Sequence, residues 1–284
     1  PGLGSNPKSG VTFDYYLSEA QDSTELKLKV LKDGEVIRTI TNQKDKDFKS
    51  WPGGPSKPAV LTSKKGYNRF TWDFKRNALP SVEKVFVLGG LNGSTVGPGD
   101  YQLKLTLGES TTETMVTILP HPKVNASMVD YAEQQAIMKT IESTVVNIHT
   151  SVNDMRSAKS QLNQYNKLLS SNAEATELLQ KGDSLVKRIN IWEENLIQPN
   201  QKTFQDVINF ENKLNAQLLN LRGYIDATEP KVTAGAKERL TDLLNTWRTF
   251  STEHDAIINT EMKAYNSLFQ SLEIPAIILS KKQH

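Results

Sequence analysis

The sequence predicts a chain in two parts: an Ig-type arrangement of strands forming an antiparallel β-sandwich, then an antiparallel four-helix bundle with long helices. Three observations point there. Residues 1–125 hold 13 of the 16 glycines and 9 of the 12 prolines, and the remainder is nearly free of both. These residues punctuate turns and interrupt helices. Short alternating runs recur at hairpin spacing over residues 11–119, the pattern of half-buried strands. From residue 126 on, apolar residues recur at spacings of three, four and seven, the seam of packed helices.

The β part is read in order. Val11–Leu17 is rich in β-branched and aromatic residues, which favour strands. Leu26–Thr41 alternates on both sides of Asp33-Gly34, a strong two-residue hairpin signal. Gly66–Lys75 alternates again, with Tyr67, Phe70, Trp72 and Phe74 as its bulky residues, and a further strand is expected over Val82–Leu88. Two more are expected at Tyr101–Leu107 and Thr112–Leu119, around a turn at Gly108-Glu109-Ser110. About seven short strands with such turns indicate a sandwich.

Residues 1–10 read as a linker and residues 120–125 as a second, stiffened by Pro120 and Pro122. The helical part occupies 126–279, with a tail at 280–284. Ser127 is the expected N-cap of a helix from Met128 to Leu169. A second helix is expected over Glu174–Leu196, closed by Pro199. The third is expected to start near Thr203, with Phe204, Val207 or Ile208, Leu214, Leu218, Leu221 and Ile225 on its seam, and the fourth to run from Thr233 to Leu272. The continuous seam predicts a helical region that folds by itself from about Asn125.

Charge is modest. Before Ala126 there are 17 basic and 13 acidic residues, and from there on 17 and 19. Basic residues are interleaved with acids or lie in loops, which argues against nucleic-acid binding. The absence of cysteine excludes disulfides and thiol chemistry within these residues. No apolar run is long enough for a transmembrane helix. The chain opens without Met on a linker-like stretch and carries no signal peptide, so it is expected to be cut from something longer.

Candidate chemistry is sparse. Trp72-Asp73 reads either as a sugar-stacking Trp beside an acid or as a core Trp beside an Asp that bonds nearby backbone. The second is favoured because Trp72 is in phase with Phe70 and Phe74. Gly89–Gly99 is glycine-rich but no helix follows, so it is a loop and not a phosphate cradle. The segment 45–58, with Trp51, is a candidate binding loop or a crossover between sheets. Asn209, Asn212 and Asn215 recur every three residues. On a helix they form one slowly drifting stripe, which can cap, bridge helices or contact a partner. The buried role is favoured because Phe204, Ile208 and Leu218 lie near the same side. His121, His149, His254 and His284 are far apart and no Glu-x-x-His occurs, so no metal site and no cofactor is expected. No G-x-S-x-G elbow is present, and no catalytic residue is assigned.

Two sets of motifs resemble known families. GYNRFTWDF and the later Gly97, Pro98, Gly99, Tyr101 resemble the Ig-like domain of flagellar hook-capping proteins. WEENLIQPNQKTFQDVINFENKLNAQL (Trp192–Leu218), AKERL after Gly235, Trp247 and YNSLFQSLEIPAII resemble the C-terminal tail of secreted bacterial sortilin-like β-propeller proteins, often labelled glycosyl hydrolases for their Asp-box repeats. With GVTFDYYL the likeness runs from about Gly10 onward. It implies a non-catalytic accessory region, an upstream propeller as partner, and an extracytoplasmic location in a Bacteroidetes-like bacterium. It leaves open a share in a glycoside hydrolase's substrate cleft, or a stand-alone carbohydrate- or protein-binding module. The Asp-box pattern S-x-D-x-G-x-x-W is absent, so the likeness assigns no catalytic carboxylate.

Overall fold

The computed structural model describes residues 4, 8–21, 23–227 and 229–275. The expected tail at 280–284 and part of the expected 1–10 linker lie outside the described residues. The architecture is mixed β and α. Six strands come first: β1 (Val11–Leu17), β2 (Leu26–Lys32), β3 (Glu35–Thr41), β4 (Gly66–Trp72), β5 (Gly99–Leu107) and β6 (Ser110–Ile118). The helices follow: α1 (Met128–Leu169), α2 (Thr176–Leu196), α3 (Leu214–Ala227), α4 (Ala234–Ala256) and α5 (Lys263–Ser271).

Strands β1 and β4 form one antiparallel sheet, with Val11 opposite Trp72 and Leu17 opposite Gly66. The other four form a second antiparallel sheet in the order β3-β2-β5-β6. The β2–β3 hairpin turns where the sequence predicts, with Asp33 at φ 50° and Gly34 at φ 79°. Two successive left-handed residues match the twist of the flanking strands. Leu26, Leu28 and Val30 point inward from β2 and are buried. They share one apolar cluster with Tyr15 and Leu17 of β1, Trp72 of β4 and Tyr101 and Leu103 of β5. Trp72 meets Tyr101 edge-on, ring centroids 5.5 Å apart. Each ring sends its polar end to a loop carbonyl: Trp72 Nε1 to Lys75 at 2.9 Å and Tyr101 OH to Gly97 at 2.6 Å. The core reading of Trp72 therefore holds, and Asp73 accepts from the backbone N–H of Lys75.

The strand expected over Val82–Leu88 is not formed. Residues 76–97 instead cross to the helices as an irregular strap. Leu79, Val82, Val85, Val87 and Leu91 belong to the helical apolar cluster, beside Met138, Ile141 and Leu219. Buried backbone groups must find partners somewhere. Along the strap, helix side chains also bond carbonyls at its half-buried and exposed edge, in place of a neighbouring strand. His149, Asn153 and Arg156 of α1 reach the carbonyls of Pro80, Ser81 and Glu83. Gly89 lets the strap approach α3 closely, since a Cβ there would stand 3.1 Å from the Leu219 backbone. The helical core is thus completed by residues from the β half.

The longest helix, α1, starts where expected. Ser127 and Asp130 form a reciprocal capping box, satisfying donors that the first turn leaves open. At 1.5 Å per residue it spans roughly 60 Å. Ile141, Val145, Ile148, Val152 and Met155 make its buried stripe. A 3-10 turn at Ala173–Ala175 leads into α2. Thr233 caps α4, which continues through a six-residue π-helical segment, Ile257–Met262, into α5. The α3 expectation is corrected. Helix three begins at Leu214, not near Thr203. Thr203 and Asp206 close a capping box around a separate 3-10 turn, Phe204–Ile208. Phe204 and Ile208 are exposed. Without a buried face, tertiary packing does not extend that turn into a helix. Among the described residues no helix is long and apolar enough to cross a membrane.

Candidate functional site

Three polar clusters connect the strap with the helices. In the first, Glu142 of α1 accepts from the backbone N–H of Ser94 at 2.6 Å. Arg222 of α3 approaches the same carboxylate at 3.5 Å and donates to the carbonyl of Gly90 at 3.2 Å. Asp226 accepts from the N–H of Thr95 at 3.1 Å, while Gln135 donates to its carbonyl at 3.0 Å. Burial lowers the Arg222 pKa, against the pull of the Glu142 and Asp226 carboxylates. Buried charges of this kind persist only when paired and hydrogen-bonded.

The second cluster centres on His149, which is fully buried. Its Nδ1 lies 2.7 Å from the Pro80 carbonyl and its Nε2 lies 3.0 Å from Asn215 Nδ2. A carbonyl only accepts, so Nδ1 carries the proton and Nε2 accepts from the asparagine amide. Asn215 Oδ1 in turn accepts from Ala216 N–H at 2.7 Å. Burial holds the His149 pKa below its ordinary value, opposed by the Pro80 bond. The third cluster is Glu193 of α2 between Arg156 and Lys159 of α1, at 2.6 and 3.1 Å.

The asparagines do not form one stripe. Asn209 is exposed and closes the 3-10 turn through its backbone N–H to Asp206. Asn212 lies in the extended link before α3, and its carbonyl accepts from Gln217. Only Asn215 is on the helix and buried. The expected common helical side required one helix through all three positions. Trp51 is half-buried, and its indole N–H donates to the Val85 carbonyl at 2.8 Å. The Val87 N–H returns to the Gly53 carbonyl at 3.2 Å, so the 45–58 loop is fastened to the strap. His254 packs beside Trp192 with centroids 5.4 Å apart, and His284 lies outside the described residues. Among the described residues no group of three or more His, Asp or Glu is arranged to hold a metal ion.

A cleft opens where the β2–β3 hairpin and the end of the strap face the start of α1. It consists of two adjoining cavities of about 310 and 340 Å³ that share Gly97, Tyr131 and Gln135. The first is also lined by Lys32, Asp33, Glu35, Arg76 and Lys139. Glu35 pairs with Lys139 at 2.6 Å. That hydrogen bond holds the Glu35 carboxyl below its usual range, with Arg76 adding to the effect. Burial pushes the Tyr101 hydroxyl up to about 12. Gly97 lines this wall, and Gly99 stands behind Lys32. A Cβ on Gly97 would stand 3.2 Å from Gln135, and one on Gly99 would stand 3.2 Å from the Lys32 amine. Sequence reasoning missed Lys32, Arg76, Tyr131 and Lys139, which come from three distant stretches, the last two from α1. The Gly97-Pro98-Gly99 run was the one local signal, and it carries no chemistry of its own.

No protein-family profile, curated protein or solved structure matches the chain.

Proposed function

We propose that this chain is a non-catalytic accessory region, an Ig-like β-sandwich joined rigidly to an antiparallel four-helix bundle. The observation that carries the proposal is the use made of the interior polar groups. Glu142, His149, Asn215, Arg222 and Asp226 are all engaged in holding residues 80–95 against α1 and α3. Side chains so engaged give a stiff mount between two elements of different class. The motifs from Trp192 to Leu218 and beyond support placing the mount after a secreted sortilin-like β-propeller, in an extracytoplasmic space. There it packs against the propeller or presents it.

A hydrolase screen over a panel of glycosides, run with the chain alone, tests the non-catalytic reading. No turnover is expected. Turnover that a single carboxylate substitution abolishes would contradict it, because hydrolysis needs two carboxylates flanking the sugar, about 5–10 Å apart. Cross-linking within a protein that joins the propeller to this chain tests the placement. Links between the two are expected, and their absence at saturating reagent would contradict packing.

A further inference from the structure

We infer that the cleft beside Gly97 is a binding site for a small solute bearing a carboxylate or phosphate group, with Lys32 and Arg76 as its cationic contacts. The Lys32 amine is half-buried, and its polar neighbours are neutral: the Pro98 carbonyl at 3.4 Å and the Tyr101 hydroxyl at 3.3 Å. It also lies 5.0 Å from the centre of the Tyr101 ring. Arg76 is half-buried too. Its Nη2 donates to Gln135 Oε1 at 3.2 Å, and its buried Nε has no hydrogen-bond partner among the described residues. Neither cation forms an ion pair with a carboxylate among the described residues, whereas Lys139 on the same wall is paired with Glu35. Glu35, the carboxylate whose field Arg76 shares, is itself taken up by Lys139, so two partly desolvated cations are left without a direct anionic contact, which an arriving anion would supply. A guanidinium and an ammonium facing one cavity suit the oxygens of a carboxylate or phosphate.

The cavity has room for a small solute, near the lower end of ligand pockets. Gly97 keeps a side chain out of it, and Tyr131 supplies an aromatic surface. Carboxylates also line the cleft: Glu35, held by Lys139, and Asp226 and Glu229 in the adjoining cavity. Asp33 sits on the hairpin turn at the rim and is exposed. Its carboxylate opposes negative charge in the cleft, so its removal should strengthen binding, an effect that a purely structural role would not produce.

The test is calorimetric titration at low ionic strength with glucuronate, inorganic phosphate and, as the neutral control, glucose. Saturable binding of glucuronate, of phosphate or of both is expected, with none of glucose. Glucuronate alone would indicate a carboxylated sugar as the ligand class, and phosphate alone a phosphorylated one. Arg76→Gln and Lys32→Gln should each weaken binding about tenfold or more, as loss of a charge-assisted hydrogen bond requires. Asp33→Asn should tighten it severalfold. Melting curves of the variants separate lost binding from lost folding, and Lys32→Gln serves if Arg76→Gln does not fold. No saturable binding of either anion, equal binding of glucose, or anion binding that all three substitutions leave unchanged would overturn the inference.

Discussion

Replacing Asn209, Asn212 and Asn215 by alanine one at a time should give three different results. Asn215 is buried, donates to His149 Nε2 at 3.0 Å and accepts from Ala216 N–H at 2.7 Å. Alanine leaves a buried imidazole nitrogen and a buried backbone donor without partners. Each such orphan costs about 1–3 kcal/mol, and the two are not strictly additive, so a loss of about 2–4 kcal/mol is expected. Asn212 has a buried Oδ1 with no hydrogen-bond partner among the described residues, and its bond to Gln217 uses the backbone carbonyl, which alanine keeps. Its substitution should change stability by less than about 1 kcal/mol. Asn209 is exposed and acts through its backbone, so about 0.5 kcal/mol in either direction is expected. Urea unfolding of the three variants, followed by far-ultraviolet circular dichroism, gives the ranking. An unchanged midpoint for Asn215→Ala, or an equal loss for Asn209→Ala, would refute the assignment of Asn215 to the His149 cluster.

Acid should loosen the same cluster. The His149 pKa is lowered on folding from its ordinary 6.5, so below about 6.5 the unfolded chain binds a proton that the folded chain refuses. Stability is therefore full above that value and falls as pH drops through the window down to the depressed folded pKa. The slope from this one group is at most about 1.4 kcal/mol per pH unit, and His149→Gln should remove it in denaturant titrations at stepped pH. Trp72→Ala should cost about 3–5 kcal/mol, the usual range for deleting a buried aromatic, with a matching drop in melting temperature. A fragment starting at Asn125 lacks Leu79, Val82, Val85, Val87 and Leu91 of the helical core. It should melt without a cooperative transition, and a sharp, native-like melt would contradict the part given to the strap.

Local patterns carried the sequence reading furthest. Asp33-Gly34 marked its hairpin because only certain residues accept two left-handed conformations in succession. Ser127 marked the start of α1 because its cap is a contact three residues away. Trp72 was legible as core from its phase with Phe70 and Phe74. Longer-range substitutions of one partner for another were not legible. The run Val82–Leu88 has the composition of a strand, yet its Glu83 carbonyl accepts from Arg156 and its Val85 carbonyl from Trp51, side chains more than 30 residues away in the sequence. The regular spacing of the asparagines suggested a helix, but exposed Phe204 and Ile208 give residues 204–213 no face to bury. The cleft was invisible for the same reason: Lys32, Arg76 and Tyr131 meet only after the strap has crossed to α1.

The most direct test of the rigid connection is amide hydrogen exchange of the intact chain at Ser94 and Thr95. Their N–H groups donate to the side-chain carboxylates of Glu142 and Asp226 across the junction, not to a backbone carbonyl. If the strap belongs to the helical core, both amides are protected to the level of the middle of α1 and are lost with it as denaturant is raised, in one cooperative unit. Exchange of both at the rate of an exposed loop, while α1 stays protected, would contradict the connection on which the accessory role rests.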